Sequence, residues 1–118
     1  MKLIRAIIRP ESTQHVIDAL EKNGIYAMTR MNVTGRGKEM GITRGTVRYN
    51  EIPKEMLMMA VPEADAGKTI AAIEKAARTG TRDTRNEGNA GDGKIFVTDL
   101  AESYTIRTGA RENGAGQV

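Results

Sequence analysis

Hydrophobic residues change their spacing several times along the chain, and each change marks an element. Lys2 to Arg9 alternates loosely around Leu3, Ile4, Ile7 and Ile8, the pattern of a strand. Pro10, which has no amide hydrogen to give a ladder, stops it. From Ser12 to Asn23 the period lengthens: Val16, Ile17 and Leu20 share one helical face, Ser12 is placed to cap it, and Gly24 to end it. Ile25 to Val33 reads as a second strand. Between Gly35 and Pro53 the apolar pattern disappears, and Gly35, Gly37, Gly41 and Gly45 sit among charges. That predicts a long surface loop, a feature that in compact domains is usually functional or disordered. Met56 to Val61 is continuously apolar, as a buried central strand would be. Pro62 ends it and opens a helix whose inner face carries Ala66, Ile70, Ile73, Ala76 and Ala77. Thr79 to Gly93 is a second glycine-rich connection, Ile95-Phe96-Val97 a short strand, and Tyr104 to Arg107 another extended piece.

The order is strand, helix, strand, long loop, strand, helix, strand. This predicts an α+β, ferredoxin-like βαββαβ fold with a four-stranded antiparallel sheet and two helices on one face. Residues 1–109 make one domain, and 110–118, with no core residue except the last, read as a mobile tail.

Composition narrows the function. The 118 residues include one Phe, three Tyr and no Trp, so the core must be built from aliphatic residues and the seven Met. A chain so light in large side chains gains by burying surface against copies of itself, which favours an oligomer. With no Cys and a single imidazole, His15, neither a disulfide framework nor a Cys- or multi-His metal site can form. Met1 to Arg5 is charged and too short for a signal peptide, and no apolar run reaches membrane-spanning length, so a soluble cytoplasmic protein is expected. The formal charge of +3 is unevenly spread. Between Arg30 and Lys54, six basic residues (Arg30, Arg36, Lys38, Arg44, Arg48, Lys54) face two acids, Glu39 and Glu51. Such a stretch attracts a phosphate, a carboxylate or a nucleic acid.

Two glycine segments are the candidates for anion chemistry. In Gly35-Arg-Gly-Lys-Glu-Met-Gly41 the glycines let backbone N–H groups approach an anion, and Arg36 and Lys38 add charge. Gly91-Asp-Gly-Lys94 runs directly into the strand at Ile95, with Lys94 able to pair with phosphate. It lacks the spacing of a Walker A loop, and a strand rather than a helix follows. Taken singly, the first is an ordinary solvated loop and the second a hairpin turn. Arg107 and Lys54, each alone, are ordinary surface charges, and His15 is a helix-face residue. The Met56, Met58 and Met59 cluster is explained by a buried strand. No nucleophile–base pair, carboxylate dyad or metal cluster is visible, so the chain is not expected to be an enzyme.

Together these segments resemble the P-II signal-transduction family of nitrogen regulatory proteins. Met1 to Pro10 resembles its opening strand almost residue for residue. Thr29 and Val33-Thr-Gly-Arg-Gly-Lys38 resemble the approach to the family's T-loop, and Ile52-Pro-Lys54 its exit. Ala77-Arg-Thr-Gly80, Gly91-Asp-Gly-Lys-Ile-Phe-Val97 and Ile106-Arg-Thr-Gly109 resemble the signatures of the C-terminal half. Ile25-Tyr-Ala-Met28, Gly35 to Ile42, Met56 to Met59 and Tyr104 to Gly109 are most similar to the nitrogenase-regulating NifI-type members.

The resemblance implies a homotrimer, or a hetero-oligomer with a second P-II-like subunit, that catalyses nothing and holds ATP or ADP between neighbouring chains. By that likeness Ile7 and Thr29 line the base and ribose end, and Gly35, Arg36, Gly37 and Lys38 meet the nucleotide. Gly91, Asp92, Gly93, Lys94 and Arg107 reach its phosphates, the two glycine segments converging across the seam between identical chains. Glu39, Gly41 and Lys54 would bind 2-oxoglutarate, with Lys54 on a carboxylate and Glu39 also ligating Mg²⁺. Glu39 stands where the family has glutamine, Thr105 where it has a second arginine, and the T-loop is a few residues shorter. Residues 81–90 are an insertion, expected to decorate the rim, the alternative being that Arg82 and Arg85 close it over the phosphates. The partner implied is a protein target, nitrogenase, or alternatively an ammonium transporter or another nitrogen-assimilation protein; no nucleic acid or membrane insertion is implied. Two rivals from other classes are a small acyl- or phosphohydrolase and an RNA-binding domain. The first lacks an arginine-anchored loop after the first strand, and the second lacks enough aromatic stacking residues in Phe96 and Tyr26.

Overall fold

The computed structural model describes residues 1–37, 42–43, 46–47, 50–80 and 88–112. Four long elements form one sheet: β1 (Lys2–Ile8), β2 (Thr29–Gly37), β5 (Asn50–Val61) and β6 (Gly93–Asp99), with helices α1 (Thr13–Lys22) and α2 (Glu63–Ala77). Between β2 and β5 lie two short paired strands, β3 (Ile42–Thr43) and β4 (Thr46–Val47). The sheet order is β2-β5-β1-β6 and every neighbouring pair is antiparallel, the ferredoxin-like arrangement expected.

Strand alternation decides where the core sits. On β1, Ile4, Ala6 and Ile8 are buried; on β5, Leu57, Met59 and Val61 are. These six face the helices, where Val16, Leu20, Ile73 and Ala77 meet them. Helix α1 ends in a Schellman motif. Gly24 takes φ 79°, its N–H donates to Glu21 O, and Ile25 N–H donates to Leu20 O at 2.9 Å. The accompanying apolar contact joins Ile25 and Leu20, both buried in the same core. Ser12 occupies the N-cap position, but its hydroxyl makes no capping bond. A short 3₁₀ turn over Pro10–Ser12 enters the helix instead, with Ser12 N–H donating to Arg9 O at 3.0 Å.

Several sequence expectations shift. The second strand begins at Thr29, not Ile25, because Ile25 is spent closing the Schellman motif. The loop expected from Gly35 to Pro53 is shorter. Gly35 pairs with Ile52, Arg36 with Glu51 and Gly37 with Asn50, so both flanks are ladder. Their backbone bonds form whether or not the side chains are apolar, and hydrophobic spacing therefore missed them. The extended piece at Tyr104 to Arg107 is cut to β7 (Ser103–Tyr104), followed by a turn at 106–108. Past Gly109, β8 (Arg111–Glu112) pairs back on β7, held by Thr105 Oγ1 donating to Glu112 Oε1. No helix among the described residues is long and apolar enough to cross a membrane.

Candidate functional site

The C-terminal end of β1 is where the candidate residues gather. Ile7 faces Met56 on one side and Lys94 on the other, and Ile8 faces Gly93. Gly93 has φ 131°, and a Cβ there would lie 2.0 Å from Ile7 O, so only glycine lets β6 start this close to β1. Lys94, the next residue, is exposed.

The turn before Gly93 is held from inside the molecule. Lys54, only 7% exposed, donates from Nζ to Gly91 O at 2.6 Å. Arg9 Nη2 donates to Ala90 O at 2.9 Å. A trans peptide carries its N–H opposite its C=O, so binding of Ala90 O by Arg9 turns Gly91 N–H the other way. Asp92 N–H stays within the turn, donating to Asn89 O at 3.1 Å.

Asp92 does not present its carboxylate to solvent. Oδ1 accepts from Arg9 Nε at 3.2 Å and from the Thr79 hydroxyl, and Oδ2 accepts from Thr79 N–H at 3.0 Å and Asn89 N–H at 2.8 Å. Asn89 Nδ2 donates to Thr79 Oγ1 at 3.0 Å, so the two ends of the 81–87 segment are joined directly. Burial by itself would raise the Asp92 pKa. The hydrogen bonds from Thr79, Asn89 and Arg9 outweigh it and hold the carboxyl at about 2. Asp92, expected on a phosphate, is thus a clasp inside the turn, and its charge suits that place better than a neighbouring anion.

Gly35 joins the same end through Lys54: a Cβ on Gly35 would sit 2.9 Å from Lys54 Cγ. Gly35, Lys54 and Gly91 are therefore linked within one chain rather than across a seam. Arg36 is exposed on β2 opposite Glu51, and Gly37 ends that strand. Lys38, Glu39 and Gly41 lie outside the described residues, and with them the 2-oxoglutarate and Mg²⁺ expectations that rest on Glu39. Among the described residues no group of three His, Cys, Asp or Glu could hold a metal ion.

Thr29 and Arg107 form a separate group. They line a cavity of about 630 Å³ together with Leu3, Met58 and Tyr104. Thr29 pairs with Met58, whose other neighbour is Arg5, while the glycine turn meets Ile8. Three residues of β1 separate the two levels, about 10 Å along the strand. One chain does not bring Arg107 to the Gly91–Lys94 turn.

Hydrophobic reasoning missed a buried polar cluster at the other edge of the turn. Glu55 is buried, accepting from Thr13 Oγ1 at 2.9 Å and Arg30 Nη2 at 2.8 Å. The bond from Arg30 is the main influence lowering the Glu55 pKa, with Thr13 adding to it against the cost of burial. The available signal was weak: an acidic residue opening an apolar run, with an arginine on the adjacent strand.

A ferredoxin-like domain whose glycine turn is clasped to the end of its sheet is the class that fold and site define. The model of the family described as nitrogen regulatory protein P-II matches residues 1–110, and the chain belongs to that family. It is 47% identical over 111 residues to nitrogen fixation nifHD2 region GlnB-like protein 1 of Methanosarcina barkeri, covering 94% of this chain and 98% of that one. A nitrogen fixation nifHD region GlnB-like protein 1 of Methanothermobacter marburgensis is 44% identical, covering 97% and 99% of the two chains. Nitrogen regulatory protein P-II 1 of Methanothermobacter thermautotrophicus is also 44% identical, covering 92% and 91%. The likeness to the nifHD-region proteins agrees with the NifI-type resemblance read from the sequence.

Proposed function

We propose that this P-II family chain is a nitrogen-responsive regulator. It binds ATP or ADP in clefts between the subunits of a trimer, and 2-oxoglutarate with Mg²⁺ beside the nucleotide. The observation that carries the reading is the division of the candidate residues into two groups. The Gly35, Lys54, Gly91 and Lys94 group and the Thr29 and Arg107 group sit at different levels of one sheet. A second copy can offer the missing half to each.

The turn suits a phosphate, since Gly91 N–H is directed away from Arg9 and Lys94 is exposed three residues on. Lys54, whose amine already holds Gly91 O beside the turn, is the residue that by resemblance would meet a carboxylate of 2-oxoglutarate. Glu39 is the candidate Mg²⁺ ligand by resemblance, and the ion would offset the charge of triphosphate beside a dicarboxylate.

The regulated output is docking of a protein target by the segment between Arg36 and Pro53. Nitrogenase is the target the reading favours, because the names of the M. barkeri and M. marburgensis relatives place them in nifHD regions. Ligands can drive docking only by binding one state of that segment more tightly than another. Titration calorimetry with MgATP, with and without 2-oxoglutarate, tests the reading. Binding of ATP that is strengthened by 2-oxoglutarate is expected; absence of ATP binding would overturn it.

A further inference from the structure

The Gly91–Lys94 turn is shaped by residues that bond to its backbone and to one another. Arg9, at the end of β1, makes two bonds into it: Nη2 to Ala90 O at 2.9 Å and Nε to Asp92 Oδ1 at 3.2 Å. Asp92 passes the constraint on to Thr79 and Asn89. Gly88, with φ 66°, packs so tightly that a Cβ would fall 2.9 Å from Asp92 Oδ2. These bonds all lie on the Arg9 side of the turn; the Gly91 N–H is directed away from that side, and Lys94 is exposed.

We propose that Arg9 and Asp92 are positioning residues for an anion bound at the Gly91–Lys94 turn, orienting the 90–91 peptide so that its N–H meets the anion. The geometry supplies the reason. If Arg9 releases Ala90 O, the peptide is free to rotate and present that oxygen outward, replacing a donor with an acceptor that repels an anion. Asp92 holds the guanidinium in place for that bond, because Arg9 Nε is committed to its carboxylate. The inference rests on the nucleotide reading above and deepens it.

Phosphate dependence separates positioning from general loosening. Affinities for ATP and AMP are measured by calorimetry on the full chain for wild type, Arg9→Ala, Asp92→Ala and the double variant. Arg9→Lys and Asp92→Asn serve as milder changes should the alanine variants fail to fold. The expected result is a loss of about tenfold in ATP affinity with AMP affinity changed less than about twofold, the size of one charge-assisted hydrogen bond. The double variant should be no weaker than the worse single one, since the two residues act through one contact network. Folded variants that bind ATP like wild type overturn the proposal. So do variants that lose ATP and AMP in equal proportion, which would mark a merely structural role. Wild type that binds no ATP overturns the nucleotide reading and this inference together, whereas ATP binding insensitive to the variants overturns this inference alone.

Discussion

At the residue scale, a few side chains fix positions that neighbours cannot compensate. Asp92 carries its charge in a pocket of donors, and its pKa of about 2 lies below the ordinary carboxylate value of 3.8. A depressed folded-state pKa means that the stabilisation is fully present above the unfolded value and is lost as pH falls through the folded one. Asp92 should therefore contribute on the order of 2 kcal/mol at neutral pH, disappearing between about pH 4 and pH 2. Urea titrations of wild type and Asp92→Asn across that window should show the two stabilities converging as the pH drops. A gap that persists unchanged at pH 2 would contradict the assignment. Gly93 is a second fixed point. Gly93→Ala combines a positive φ with a 2.0 Å approach to Ile7 O, and a loss of about 3 kcal/mol is expected by chemical denaturation. A smaller change is expected of Gly35→Ala: the added methyl pushes on the Lys54 stem, so 2-oxoglutarate binding should weaken before global stability does.

At the scale of elements, the long apolar patterns were legible and the polar pairings were not. Leu57, Met59 and Val61 announce β5 because a buried strand needs them, and Val16 and Leu20 announce α1 for the same reason. Gly24 announced the end of α1 because its positive φ is costly for any other residue; Gly24→Ala should lower the melting temperature through a loss of about 1 kcal/mol. By contrast, Thr34 to Gly37 pairs with Asn50 to Pro53 through backbone bonds that leave no hydrophobic trace. The candidate site divides in the same way. Gly91, Gly93 and Lys94 stand out by composition, whereas Arg9 and Thr79 reach Asp92 through hydrogen bonds 83 and 13 residues apart in sequence, which no local spacing reveals. Asp92 is legible as part of Gly91-Asp-Gly-Lys94, but the bonds of its carboxylate to Arg9, Thr79 and Asn89 are not. Of the 81–90 insertion, Asn89 and Ala90 belong to the clasp. Because Thr79 and Asn89 meet directly, replacing residues 81–87 by a shorter Gly-Ser linker should leave ATP affinity unchanged, as a change in the length of a connection whose ends are already joined costs little.

At the scale of the whole molecule, one chain leaves much apolar surface uncovered. The helices cover one face of the sheet only. On the other face alternation places Leu3, Ile7, Met31, Met56, Met58 and Phe96, with Phe96 47% exposed. Ile106, beside Arg107 in the last turn, is 99% exposed. Surface of this kind calls for a partner, and a second copy would bury it while joining the two halves of the proposed nucleotide site. Sedimentation equilibrium should accordingly give three times the 12.8 kDa chain mass.

The shared cleft is the claim on which the functional account depends, and subunit mixing tests it most directly. Lys94→Ala spoils the turn of a chain, and Arg107→Ala spoils the other half-site of a chain, so trimers of either variant alone should bind ATP poorly. Co-refolding the two variants creates interfaces in which an intact turn faces an intact Arg107. The account predicts that ATP binding returns in the mixture at a fraction of the wild-type sites. A mixture that assembles but binds no more ATP than its two parents would contradict it.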